Sequence, residues 1–556
     1  MHRSPFARRP IWICLTLAII LALLGSARWS VPAGAAPDRA SGGTVTLVNV
    51  GGSLWDCAFN PWVSSDTFIS NGFLYETMLY INPLNGHITP MLATGYRWSN
   101  GSKTLTMTMR KNVRWSDGKP FSAADVVYTF HLMKAHAALD GNALWTVLSD
   151  VKQHGNNVVF TFKHPAVPDF YYLAGQTFIV PKHIWDRVKD PVKFTDPHPV
   201  ATGPVVLSTC TPQNITYVRN PHYWVKGEPK VAKVQVPAFL GNSAGNLELR
   251  TGAANWGCQF IPNIKAYYVS ADPAHNHYWF PPGSDNDLYL NLHQYPLNIV
   301  KVRQAISLGI NRSLVSKIGD YGYLLPSNQA GIVLPNYANW YDKSLAKQYN
   351  YAYNPQKAQK LLQQAGFKKG SNGYYAKNGK TLSLTILGVA GFTDWVAELA
   401  EVQRNLQAIG IDVKVENIGG DTQLANLQAG KFQIGYYYTT AGPSPYYELY
   451  NSLDGALAGR GSKSSNGNYE RWKNAQTDKL LAAYASTTNS KKQHQAIDGL
   501  QKIMLQDVPV IPVLEGGNYY QYNDSQLVGW PTPSNPYMLP CDSPGMGLTI
   551  THLHSR

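Results

Sequence analysis

The stretch that decides the fold runs from Met91 to Met133, MLATGYRWSNGSKTLTMTMRKNVRWSDGKPFSAADVVYTFHLM. Gly95-Tyr96-Arg97-Trp98 leads into the turn residues Ser99-Asn100-Gly101-Ser102. Thr104 to Met109 then alternates hydroxyl and apolar side chains, the pattern of a half-buried strand. Asp117-Gly118 supplies a second turn. Ser122 is placed to N-cap a helix that carries Val126, Val127 and Phe130 on one face, with Asp125 three residues past the cap. The segment is therefore expected to be strand, turn, strand, turn and capped helix.

Its second half, Val113-Arg114-Trp115-Ser116-Asp117-Gly118-Lys119-Pro120-Phe121-Ser122-Ala123-Ala124-Asp125-Val126, closely resembles the signature of the family 5 extracellular solute-binding proteins. These are the oligopeptide-, dipeptide- and nickel-binding receptors of ABC importers. Further blocks follow in that family's order. Ala201-Thr202-Gly203-Pro204 is similar to its "G-T-G-P" turn, and TYVRNPHYW, residues 216–224, to its "R-N-P-x-Y-W". Tyr353-Asn354-Pro355 to Ala365-Gly366-Phe367 resembles a capped helix closed by glycine. Val402 to Val415 reads as a helix, an Ile-Gly-Ile turn and a strand, and Val508-Pro509-Val510-Ile511-Pro512-Val513 as a returning strand. Asn311-Arg312 stands where the family has Asp-Arg. The resemblance covers about residues 43 to 530.

It implies an α/β protein with a two-lobed periplasmic-binding-protein-like fold and an additional subdomain inserted in the first lobe. The expected division is 1–35 signal peptide, 43–83 plus 200–285 plus 510–556 first-lobe core, 84–199 inserted subdomain, and 286–509 second lobe. Chain crossings are expected near Asp285 to Leu292 and Gln506 to Val513. Phe68 to Leu79, with Tyr75-Glu76, reads as a helix, and the stretch after Trp530 as an irregular tail held by Cys541.

Size and composition agree with this reading. A chain of 556 residues is too long for one core. Hydrophobic residues make up 44% and charged ones only 15%, so the surface is covered largely by neutral hydrogen-bonding side chains. Arg3, Arg8 and Arg9 precede an apolar run of 14 residues from Ile11 to Leu24, and Ala33-Gly34-Ala35 is an A-x-A cleavage site. Fourteen residues fall short of the roughly 20 that cross a bilayer. No cysteine follows the run, so a cleaved signal peptide without a lipid anchor is expected, and a periplasmic or secreted mature protein. Removing residues 1–35 takes out four arginines and no acid, so the net charge of +14 becomes +10. The basic residues are scattered, with no Lys/Arg run longer than two, and no nucleic-acid partner is expected. A monomer is expected.

Cys57, Cys210, Cys258 and Cys541 remain after cleavage; an oxidising compartment favours disulfides among them, with three connectivities open. His275-x-His277 and His552-x-His554 are possible metal-ligand pairs but read better as surface histidines. No G-x-S-x-G, H-E-x-x-H or P-loop pattern occurs, and no acid pair is marked for glycoside hydrolysis, so no enzyme activity and no cofactor or metal are expected.

Binding chemistry is better represented. The chain has 34 Tyr and 15 Trp, residues whose flat apolar faces and polar handles suit ligands of mixed character. GYYYTTAGPSPYY, residues 435–447, follows a strand that resembles one bordering the inter-lobe cleft. In peptide receptors this loop carries "D-Y-x-D-P", whose first aspartate pairs with the peptide's amino terminus. Here Ala441-Gly442-Pro443-Ser444-Pro445 has no acid. A buried ammonium needs a counter-charge, so either Asp56, Asp394 or Glu448 replaces it, or the ligand is a neutral oligosaccharide. The resemblance thus implies a receptor for an oligopeptide, with oligosaccharide as the alternative and a secreted glycoside hydrolase as a more remote one, delivering its ligand to an ABC transporter permease. The expected ligand-binding residues are Trp55, Asp56, Asp394, Trp395, Tyr436, Tyr438, Ser444 and Tyr446.

Overall fold

A computed structural model describes residues 42–49, 54–63, 71–439, 442–458 and 467–556. The expected signal peptide, the loop residues Gly51-Gly52-Ser53, Phe68 to Ser70, and Thr440-Ala441 lie outside the described residues.

The Met91–Met133 stretch folds as its pattern predicts. Ala93–Ser99 pairs antiparallel with Thr104–Met109 across a turn in which Asn100, Gly101 and Ser102 all have positive φ. Thr104–Met109 then pairs with Asn157–Phe162, which pairs with Leu148–His154, completing a four-stranded sheet. Leu105, Met107 and Met109 point into the core while the intervening threonines do not. The helix Ala123–Ala135 starts with a complete capping box: Ser122 Oγ accepts from Ala124 N at 3.2 Å, and Asp125 Oδ2 accepts from Ser122 N at 2.9 Å. Val126 and Phe130 are buried against the sheet, Phe130 meeting Phe160 edge-on at 4.9 Å; Val127 is half-buried beside them.

Two larger sheets form the rest of the frame. The first has seven strands, in the order Asn276–Trp279, Tyr520–Asn523, Trp256–Gly257, Thr44–Val48, Lys233–Pro237, Asn214–Arg219 and Val205–Thr211. The second has five, in the order Asp412–Ile418, Ser383–Val389, Ile434–Tyr438, Pro282–Leu290 and Val510–Gly517. The chain passes between them twice, at Phe280-Pro281 and at Asn518-Tyr519. The segments expected to be crossings, near Asp285 to Leu292 and Gln506 to Val513, lie partly in the paired strands Pro282–Leu290 and Val510–Gly517 of the second sheet. Prolines lack the N–H that a ladder needs, so the break falls at Phe280-Pro281, and Pro282 sits at the first position of the strand that follows.

Residues 71–79 depart from the expected helix. Only Asn71–Leu74 is helical, and Leu79–Ile81 is a strand. The carbonyls that would continue the helix are taken elsewhere: Leu74 O accepts from Gly203 N at 2.7 Å and Glu76 O from Ile179 N at 3.1 Å. Tertiary hydrogen bonds thus override a local preference.

The disulfides are Cys57–Cys210 and Cys258–Cys541. The second ties the C-terminal stretch to the residue after Trp256–Gly257, in the middle of the first sheet. Asn311 and Asn354 both act as N-caps, accepting from Leu314 N at 3.1 Å and Lys357 N at 2.9 Å. The Asn311 substitution therefore keeps the cap that an aspartate would make. No helix among the described residues is long and apolar enough to cross a membrane.

Candidate ligand-binding site

In α/β sheets ligands collect beyond the carboxyl ends of parallel strands. Ser383–Val389 and Ile434–Tyr438 run parallel in the second sheet. Their carboxyl ends border a cavity of about 370 Å³ where the two sheets join. Gln259 and Phe260 come from the first-sheet side, Ser284, Asn286, Gly516 and Gly517 from the second-sheet strands Pro282–Leu290 and Val510–Gly517, and Asn518 and Tyr519 from the connection that follows them. Phe392, Asp394, Trp395 and Tyr438 come from the second-sheet side. A Cβ on Gly517 would lie 2.2 Å from Leu324 Cδ2, so glycine at that position lets Leu324 close against the cavity.

The walls are aromatic. Trp395 lies edge-on to Phe392 and Tyr436, both at 5.2 Å between ring centroids, and 6.3 Å from Tyr438. Phe260 faces Tyr519 at 5.3 Å. Phe392 and Tyr438 are each 49% exposed, which leaves flat apolar area free for a ligand.

Behind this wall sit three buried acids. Asp394 is in the first turn of the helix Thr393–Ala408, where the helix dipole favours a negative charge, and Glu398 lies one turn on. Asp320 is the C-cap of the helix Arg312–Gly319. One oxygen from each lies within 4.8 Å of the others, the one such group of three His, Cys, Asp or Glu side chains found among the described residues. Tyr519 OH is 2.8 Å from Asp320 Oδ1 and 3.1 Å from Asp394 Oδ2, and Tyr436 OH donates to Glu398 Oε2 at 2.5 Å. Burial pushes the Asp320 carboxyl up to about 7, with Asp394 adding to the rise against the Tyr519 hydrogen bond. Burial also raises Asp394, and burial together with the charges of Asp394 and Asp320 holds Glu398 well above the usual carboxylate range. Chemically the group can share protons or accept a cation.

Of the eight residues expected to bind ligand, Asp394, Trp395 and Tyr438 come together at this cavity. Tyr436 lies behind it, fully buried, with its hydroxyl spent on Glu398. Trp55 is in the first-sheet core, where its indole N–H donates to Val236 O at 2.8 Å. Asp56 is exposed and accepts from Ala58 N at 3.1 Å. Ser444 and Tyr446 are buried elsewhere: Ser444 Oγ is 2.9 Å from Tyr484 OH, and Tyr446 stacks on Tyr484 at 4.5 Å. Ser444 borders a different cavity, of about 330 Å³, against the four-stranded sheet.

Phe260, Asn286, Tyr519, Asp320 and Glu398 were not among the expected residues. Of these only Glu398 had a local signal, its i, i+4 spacing from Asp394 on one helix face. Glu448, a possible replacement acid, is buried away from the cavity, and burial plus the charges of Asp285, Asp287 and Glu515 raise it well above the usual range. His275 Nδ1 and His277 Nε2 share Asp524 Oδ1 at 3.0 and 3.3 Å, and His552 stacks on Tyr537 at 4.1 Å.

The family model "Bacterial extracellular solute-binding proteins, family 5 Middle" matches residues 87–459. The chain is 26% identical over 443 residues to the glutathione-binding protein GsiB of Salmonella choleraesuis, covering 76% of this chain and 80% of that protein. It is 26% identical over 438 residues to protein XP55 of Streptomyces lividans, covering 76% and 74%. Among solved structures, a periplasmic oligopeptide-binding protein of Thermotoga maritima superposes with a TM-score of 0.86 at 25% identity, covering 93% of this chain and 100% of that one. A mannohexaose-bound structure of the same Thermotoga protein gives a TM-score of 0.81. The oligopeptide-binding protein AppA of Bacillus subtilis, in complex with a nonapeptide, gives 0.74 at 20% identity, a likeness of fold, covering 93% of this chain and 99% of that one. The α/β architecture is that of the two-lobed periplasmic binding proteins. The chain belongs to the family 5 bacterial extracellular solute-binding proteins, the substrate-binding receptors of ABC importers.

Proposed function

We propose that this chain is exported by a cleaved signal peptide and acts outside the cytoplasm as a monomeric receptor without enzyme activity. It captures an oligopeptide between its lobes and hands it to an ABC transporter permease. The observation that carries this reading is the cavity itself. It draws its walls from both large sheets and from the connection Asn518-Tyr519 between them, so a ligand there would bind to the two lobes at once and favour their closure. Membership of a family whose members feed importers supports the delivery step.

The proposed division keeps 84–199 as a subdomain of the first lobe, which contains the whole four-stranded sheet. It assigns residues 282–517 to the second lobe, since both long strands at its edge pair with each other. The test is small-angle scattering of the mature protein with and without a mixed tetra- to hexapeptide library. A smaller radius of gyration with peptide is expected. An unchanged radius, accompanied by turnover of a peptide or glycan, would overturn the reading.

Oligosaccharide is the second reading. Phe392, Tyr438 and Trp395 offer flat faces of the kind that stack on sugar rings, and the Thermotoga relative has been captured with mannohexaose. The same scattering experiment with neutral hexasaccharides separates the two.

A further inference from the structure

We propose that the buried acid group behind Trp395 is the counter-charge for a primary ammonium on the bound solute, with Asp394 as the residue that touches it. The proposal rests on the receptor reading above and names the chemical class of the ligand. Asp394 is the member of the group that lines the cavity; Asp320 and Glu398 stand behind it, both fully buried.

Three observations converge. First, the group is short of positive charge. Tyr519 has a single hydroxyl proton between two carboxylates, and no Lys, Arg or His is within 4.0 Å of any of the three acids among the described residues. Three carboxylates so close cannot all ionise out of water without a partner. Second, Glu398 Oε1 is buried with no hydrogen-bond partner, although its other oxygen is taken by Tyr436. An acceptor left open in the interior costs stability unless something binds to it or to its neighbours. Third, the approach to Asp394 is walled by Trp395, Phe392, Tyr438 and Tyr519. Aromatic faces attract an organic ammonium through their ring quadrupoles. A hard divalent ion would instead require six or more oxygen ligands and would keep several waters. The wall therefore favours an organic cation over a bare metal.

This placement also accounts for the acid-free loop. Ala441 to Pro445 offers no carboxylate, and Gly442 spends its carbonyl on the Tyr337 hydroxyl. In this chain the ammonium partner would have moved to the amino-terminal turn of the helix Thr393–Ala408, on a different element of the second lobe.

The test uses thermal shift and calorimetry on the mature protein with three probe sets: lysine-free tetra- to hexapeptides with free amino termini, the same peptides N-acetylated, and neutral hexasaccharides. Stabilisation confined to the free-amine set is expected. Asp394→Asn should weaken that binding at least tenfold, and Glu398→Gln by a smaller factor. Both variants should hold or raise the melting temperature of the unliganded protein, because each removes like-charge repulsion; a purely structural role would lower melting and binding together. Equal binding of the acetylated peptides or of a hexasaccharide, unchanged in Asp394→Asn, would overturn the assignment and leave the receptor reading standing. No stabilisation by any set would sink the receptor reading and this proposal with it. Should Asp394→Asn not fold, Glu398→Gln decides alone: undiminished free-amine binding overturns the proposal.

Discussion

Tyr447 donates its hydroxyl to the carbonyl of Pro168 at 2.8 Å, joining positions 279 residues apart. Tyr447 stands on the helix that follows the second-sheet strand Ile434–Tyr438, whereas Pro168 follows the last strand of the four-stranded sheet in the chain. Tyr171 meets Tyr447 edge-on at 5.0 Å, and Val167 N donates to Ala485 O at 3.2 Å beside it. The inserted sheet is thereby latched to the second lobe at a distance from the ligand cavity.

Tyr447→Phe keeps the ring contacts and removes this one hydrogen bond, while the carbonyl of Pro168 retains the bond it accepts from Tyr171 N at 3.1 Å. A loss of about 1 kcal/mol is expected. If the latch opens when the lobes part, the unliganded variant should also show a larger radius of gyration in solution scattering than the parent. An unchanged radius with lower melting would assign the bond to static stability alone.

Two tyrosines near each other in sequence should behave oppositely. Tyr438→Ala removes a half-exposed ring from the cavity and should weaken ligand binding about tenfold with a melting temperature within 1–2 °C of the parent, as usual for exposed positions. Tyr446→Ala empties a buried site stacked between Tyr450 and Tyr484 and should cost about 3–5 kcal/mol of stability. Denaturant unfolding and calorimetry on both variants check the contrast.

Stability should rise in mild acid. Burial pushes Glu76, Asp320 and Asp542 each up to about 7. In the unfolded chain such groups lose their protons near pH 4, whereas in the folded chain they hold them to near pH 7. Over that window the folded state binds more protons, so these groups stabilise fully below about pH 4. Their contribution is lost as pH rises through 7. Each adds up to about 1.4 kcal/mol per pH unit while it titrates. Calorimetric scans should give a higher melting temperature at pH 5 than at pH 8, and Asp320→Asn should reduce that difference. A protein that melts lower at pH 5 would contradict the assignment.

The Cys258–Cys541 bridge closes a sequence separation of 283 residues and holds the C-terminal stretch against the first sheet. Cys258→Ser with Cys541→Ser should lose about 2–5 kcal/mol. The adjacent Trp256–Trp530 contact, at 5.7 Å between centroids, should loosen with it, giving a change in tryptophan fluorescence below the main transition. Peptide mapping without reduction should recover Cys57 with Cys210 and Cys258 with Cys541.

Much of this molecule was legible in one dimension. The capping box at Ser122 and Asp125, the alternation from Thr104 to Met109 and the asparagine caps at 311 and 354 are all local. Each depends on a few neighbouring residues whose side chains reach their own backbone or share one face. The block from Val113 to Val126 joined such signals in an order that pointed to the family, and residues 87–459 match that family's model.

The ligand site was legible only in part, because burial is decided by what arrives from far along the chain. Tyr436 and Tyr438 sit two apart on one strand, so sequence places them on the same face. Only the fold shows that Trp395 and Glu398 cover Tyr436, which is fully buried, while the strand ends at Tyr438 beside the open cavity. Asp394 meets Tyr519, 125 residues away, and Tyr519 in turn meets Asp320, 199 residues away. The disulfide partners are likewise brought together only by packing, since Cys57 and Cys541 lie outside the strands and meet Cys210 on Val205–Thr211 and Cys258 just after Trp256–Gly257. Local sequence determined most of the elements, since short-range hydrogen bonds and side-chain periodicity suffice for them, whereas residues 71–79 were set by bonds from Gly203 and Ile179. Which aromatic rings stay open to a ligand and which acids share one buried space were decided by the tertiary structure, because both depend on contacts between segments brought together only when the chain packs.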